Sequence, residues 1–154
     1  MRFPLLVVLG GCCTVACSPR EVSRPGRFWA VGSTYIVSLN VTRRAALLPD
    51  VRMALGPIAD TVSGRLSVAR ITPDSVFGTH DIEVGPLGVL RPMSSPAPLR
   101  FGGRLSGDSI RLLLNSHVTD AGVELVGTAS AGKATGTWTA SQQSTRGEFR
   151  ITRP

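Results

Sequence analysis

The sequence predicts an all-β domain, an antiparallel up-and-down meander of about eight strands that is closed, or nearly closed, into a barrel. Three observations lead there. Apolar and polar residues alternate in twos through most of the chain after position 33, the pattern of antiparallel strands with one buried face. No stretch of comparable length carries a sustained helical period. The connections alternate between tight and long, as they must when successive turns of a meander fall at opposite ends.

The strands follow in order. The first, 34–42 ("TYIVSLNVT"), sets Tyr35, Val37, Leu39 and Val41 against Ser38, Asn40 and Thr42. In the second, 61–71, the face of Val62, Gly64, Leu66 and Val68 carries Arg70 inward near the strand end. In the third, 75–84, Val76, Gly78, Ile82 and Val84 share their face with His80. Strands over 98–106, 109–115 and 122–130 come next. The seventh, 133–141 ("KATGTWTAS"), is the cleanest, with Ala134, Gly136, Trp138 and Ala140 opposite Thr135, Thr137, Thr139 and Ser141. The last, 146–152, puts Phe149 and Ile151 opposite Glu148 and Arg150.

Turn chemistry orders these strands. Thr72-Pro73-Asp74-Ser75, Ser106-Gly107-Asp108 and Ala131-Gly132-Lys133 offer the Pro, Gly and Asp of tight hairpins. The connections 43–60, 85–97, 116–121 and 142–145 are longer. The tight turns therefore gather at one end, a floor, and the long loops at the other, a mouth. Closure removes the exposed edges that an open sheet of this length must otherwise protect. A two-sheet sandwich with crossing connections would use the same strands and is the alternative. A membrane-spanning barrel is disfavoured, because "TGTWT" and "RGEFR" present threonine and charge on the second face where lipid would require apolar side chains.

The amino-terminal segment is of another kind. Cys12, Cys13 and Cys17 are the only cysteines, the first two inside and the third directly after an uncharged run of 14 residues that follows Arg2, "FPLLVVLGGCCTVA". That run is too short to span a bilayer, which takes about 20 apolar residues, and suits a secretory signal. A zinc site would need a second ligand pair, and a disulfide within the cluster would staple almost nothing. These residues resemble a bacterial lipoprotein signal peptide, in which small and aliphatic residues end at a cysteine that is lipidated. "TVAC" places the lipid on Cys17, and "LGGC" on Cys12 is the alternative. Cleavage before Cys17 also removes the other two thiols, leaving no free cysteine in an oxidising compartment. The resemblance implies an exported protein held to the cell envelope by an acyl anchor. It divides the chain into a signal peptide (1–16), a lipidated tether (17–32) and one domain (33–154).

Charge adds little. The net charge is +7, with 16 arginines and a single lysine, Lys133. The arginines are dispersed from Arg20 to Arg153 and aromatic residues make up only 5%, so no basic stripe with stacking aromatics emerges and nucleic acid is not an expected partner. Solvated surface charge is the expected reading, with attraction to anionic envelope lipid as the alternative.

An eight-stranded meander of this size is similar in architecture to the calycin superfamily, the lipocalins and avidin-like proteins. Their Gly-x-Trp near the first strand has only inexact counterparts here. In "GRFWA" Gly26 and Trp29 are one residue too far apart, and "GTW" at 136–138 falls in the wrong strand. The resemblance implies small-molecule binding inside the barrel.

Chemistry is sparse. The chain has no Gly-x-Ser-x-Gly elbow, phosphate loop, paired-histidine motif or calcium loop, so neither an enzyme nor a metal nor a cofactor is expected. In "HDIE" (80–83) His80 and Asp81 point to opposite faces of a strand, which defeats a metal site. Ligand pockets are apolar with a few placed polar groups, and the inward residues with polar tips, Arg70, His80 and Trp138, are the candidates. At the mouth the loop 85–98 exposes Leu87, Val89, Leu90 and Met93 as a lid or a partner surface. The inward Gly64, Gly78, Gly127, Ala129 and Gly136 fit two barrels equally: a hollow one with room for ligand and a small, tightly closed one. The expected function is therefore a lipid-anchored envelope protein binding a small apolar ligand. The alternative is an envelope scaffold that docks another protein through the loops 85–97 and 43–60.

Overall fold

In the computed structural model, the residues described are 28–46, 49–50, 53, 57–87, 89, 98–116, 122–130, 132–140 and 145–154. Cys12, Cys17, Leu90 and Met93 lie outside them. Eight strands form a closed antiparallel barrel in chain order: β1 (Thr34–Arg43), β2 (Thr61–Ile71), β3 (Ser75–His80), β4 (Leu99–Ser106), β5 (Ser109–Leu114), β6 (Val123–Ser130), β7 (Lys133–Ala140) and β8 (Arg146–Thr152). β8 returns to β1 with Leu39 opposite Phe149, which closes the ladder. The sandwich is thereby excluded. Both ends of the fold enter at the floor, beside the tight turns at 72–74, 107–108 and 132, where Gly107 and Gly132 take the positive φ that these turns require.

The alternation read from the sequence is the alternation of burial. Tyr35, Val37 and Leu39 are fully buried, as are Leu112 and Leu114, Val123 and Leu125, and Ala134 and Trp138. Two departures have local causes. β3 stops at His80 rather than running to 84, because Asp81 turns back on β2: its N–H donates to the Arg65 carbonyl (3.2 Å) and its carboxylate accepts the Arg65 N–H. The inward phase nevertheless persists through Ile82 and Val84, both buried. The second departure is in β2, where Val68 pairs with Gly78 but Arg70 pairs with Phe77. Ala69 is the extra residue of a β-bulge, and a bulge reverses the side-chain phase beyond it. Ile71 therefore goes inward opposite Val76, and Arg70 goes outward, correcting the inward placement that strict alternation gives it. On the outer wall its guanidinium lies 4.5 Å from the centre of the Phe77 ring.

The floor is closed by residues that the sequence assigns to the tether. Phe28 and Trp29 are buried and stack with Tyr35, with ring centres 4.8–5.2 Å apart. The Phe28 carbonyl accepts the Tyr35 hydroxyl (2.7 Å) and the Arg153 guanidinium (2.7 Å from Nη2), and the Tyr35 oxygen accepts the Ala30 N–H (2.8 Å). The domain thus begins at least five residues before position 33, since an apolar barrel end must be covered.

Within the barrel Gly64, Gly78, Gly136 and Gly147 each face a large side chain, whereas Gly127 meets the backbone of Thr135 and Gly136. A Cβ on Gly78 would stand 2.6 Å from Phe101, one on Gly136 2.9 Å from Phe149, one on Gly64 2.7 Å from Ile82 and one on Gly147 2.6 Å from Trp138. Those four are the recesses into which bulky side chains of adjoining strands fit. This decides between the two barrels that the glycines allow: over the described residues the interior is filled. Gly78 in particular is packing and not spare room, since its Cβ would also collide with the Ser67 carbonyl.

Candidate functional site

The mouth holds what polar chemistry the interior has. His80, at the last position of β3, points inward and is buried. Its Nδ1 accepts the Ile82 N–H (3.3 Å) and its Nε2 lies 3.1 Å from Asn115 Oδ1, a pair of contacts that suits the tautomer with the proton on Nε2. Asn115 follows β5 with φ of 58°, a left-handed conformation that asparagine tolerates, and is itself buried. There its amide oxygen meets the His80 ring. Across the mouth Thr145 is fully buried and its hydroxyl accepts the Ala45 N–H (3.1 Å).

Above this level the described part of the β3–β4 connection, residues 81–87 and 89, sends apolar side chains into the core. Ile82, Val84, Leu87 and Val89 are all buried, with a 3-10 turn at Gly85–Leu87 that aims Leu87 inward. Burying Leu87 and Val89 contributes about 1.5–3 kcal/mol each. The described residues of the segment belong to no ladder. The Leu87 and Val89 N–H groups donate to the Val84 carbonyl within the segment, and Ala59 N–H donates to the Pro86 carbonyl (2.8 Å). Arg44 completes the attachment: Nη1 donates to the Leu87 carbonyl (2.8 Å), and Nη2 donates to the Ala59 carbonyl (2.7 Å) and to Asp60 (3.1 Å).

The predicted site residues are thus dispersed. His80 and Trp138 both face inward in the mouth half, on walls four strands apart. Trp138 is fully buried and its indole N–H donates to the Asn40 carbonyl (3.0 Å), passing the side-chain-free Gly147 to reach β1. Arg70 is outside, at the floor end. Leu87 and Val89 are buried plug residues rather than an exposed surface. Three residues that matter at the mouth escaped sequence reading. Asn115 carried a weak signal as an asparagine closing a strand; Arg44 and Thr145 carried none, being one of a basic pair and one of a polar run.

A second feature lies on the outer wall. Ser38 and Asn40 of β1, Thr135 and Thr137 of β7, and Glu148 and Arg150 of β8 line an open depression of about 490 Å³, floored by backbone at Gly136 and Phe149. Among the described residues no group of three or more His, Cys, Asp or Glu side chains is placed to hold a metal ion.

No protein-family model and no curated protein sequence matches this chain. Among solved structures, the barrel is similar to the crystal structure of a mutant of the fluorescent protein UnaG, with 14% identity over 80% of this chain and 94% of that one and a TM-score of 0.38. A likeness at that level says nothing of function.

Proposed function

We propose that this chain is an exported, lipid-anchored binding protein whose barrel takes up a small apolar ligand at the mouth. One observation carries the reading. The mouth half of the interior is filled by the 82–89 segment, held by a few bonds, and not only by strand residues locked in the ladder. A ligand the size of two aliphatic side chains would take the place of Leu87 and Val89, with the His80–Asn115 pair beside it to receive one polar group. Both ring nitrogens of His80 are engaged, as in a structural histidine, so the role proposed is binding and not catalysis. The resemblance of the first seventeen residues to a lipoprotein signal peptide, with Cys17 or alternatively Cys12 as the lipidated residue, supports the anchor. The chain enters the fold at Phe28 on the floor, so an anchor at Cys17 would be joined to the barrel at the end opposite the mouth.

Native mass spectrometry of the gently purified chain tests the ligand. An excess mass that is lost on denaturation, and not accounted for by lipid on Cys17, supports the proposal. A bare mass favours the scaffold reading, to which the glycine-and-bulk packing of the interior lends its weight. Mass analysis of the amino-terminal peptide tests the anchor, which predicts an acylated Cys17 at the mature terminus; an unmodified, uncleaved Met1 terminus refutes it.

A further inference from the structure

We infer that Arg44 is the clasp of the mouth, and that access to the interior is governed by whether its guanidinium holds the 82–89 plug shut. The inference rests on the ligand reading for its purpose, but the clasp stands on geometry of its own.

Three chain segments meet at one side chain. Arg44 leaves the end of β1, its Nη1 takes the Leu87 carbonyl of the plug, and its Nη2 takes the Ala59 carbonyl of the β1–β2 connection. Ala59 is itself bonded to Pro86 of the plug, so the guanidinium and the Ala59 N–H close a ring around residues 86 and 87. The Arg44 side chain is 22% exposed, whereas that of its acidic partner Asp60 is 91% exposed. The ion pair is therefore the lesser attachment, because solvent screens an exposed pair, while the two shielded carbonyl bonds are the greater one. A planar fork is needed to donate along two directions to two segments; a lysine ammonium on a flexible stem does not reproduce it. Without the clasp the plug keeps its internal bonds to Val84 and is tied to the β1–β2 connection by the Ala59–Pro86 bond, and it opens when that bond breaks.

Hydrogen exchange followed by mass spectrometry on the purified full-length chain tests this. In Arg44→Ala, and also in Arg44→Lys, peptides covering 82–89 should exchange about tenfold faster or more, with β5 to β7 at the parent rate. Asp60→Asn should have a much smaller effect, and Arg111→Gln on the far wall none. Unchanged exchange at 82–89 in both Arg44 variants overturns the clasp, and so does acceleration spread evenly over all strands. The apolar dye N-phenyl-1-naphthylamine then separates the two ideas. Dye binding that strengthens in the Arg44 variants upholds clasp and ligand site together. A plug that exchanges faster yet admits no dye upholds the clasp and refutes the ligand reading.

Discussion

At the scale of single residues, side chains that look alike in the sequence carry very different weights. Gly78 and Gly132 are both strand-associated glycines, yet a Cβ on Gly78 meets backbone and Phe101 while one on Gly132 meets nothing within 4 Å. Gly78→Ala should cost about 1–3 kcal/mol through overpacking, read as a lowered urea midpoint. Trp138→Phe retains most of the ring but leaves the Asn40 carbonyl without its indole donor. A loss of about 0.5–1.5 kcal/mol in the same titration is expected. Asp74 behaves differently. The Thr72 and Ser75 hydroxyls donate to its carboxylate and hold its pKa below the usual aspartate value. A depressed folded pKa means stability that is complete above the unfolded value, about 3.9, and is lost as pH falls through the folded one. The group is exposed, so the effect is small. Asp74→Asn should flatten the acid limb of the stability profile below about pH 4 and leave neutral stability nearly unchanged, as thermal melts across pH would record.

At the scale of elements, the β2 bulge and the floor show how one local departure redirects chemistry. With Ala69 inserted, Arg70 covers Phe77 on the outer wall, and Arg70→Ala should cost no more than about 1 kcal/mol, with no effect on any ligand inside. Deleting Ala69 would remove the bulge and place Arg70 directly after Val68, still outward opposite Phe77 with Ile71 inward opposite Val76, so that variant should keep the cooperative folded state by circular dichroism. The floor depends on chain that is not strand at all. Tyr35→Phe removes a hydroxyl that donates to Phe28 and accepts from Ala30 in a buried setting. It should cost about 1–3 kcal/mol and raise exchange at residues 28–33 before the strands respond. These elements were largely legible in advance. Seven of the eight strands begin and end within one or two residues of the alternation, because a one-residue slip would turn every apolar side chain to water. β3 was overrun because its inward pattern continues into the plug: Ile82 and Val84 obey the same alternation with no partner strand, and periodicity reports burial, not hydrogen bonding.

For the whole molecule, the sequence by itself determined the all-β class, the count of strands, the meander and the division into a floor of tight turns and a mouth of long loops. Each of those follows from patterns only a few residues long, which any chain carries openly: period-two alternation, the placement of Gly, Pro and Asp, and the lengths between them. The tertiary structure decided whether the barrel is hollow. Inward glycines read equally as room or as recess until register brings Phe101 over Gly78 and Phe149 over Gly136, pairs set by how the strands stagger on closure. It also decided the mouth, where Arg44, Ala59 and Leu87 meet across 43 residues of chain, and His80 finds Asn115 across 35. Such contacts leave no local trace. A hydrogen bond between distant segments asks nothing of the residues beside it in sequence, and only the closed ladder brings its two ends together.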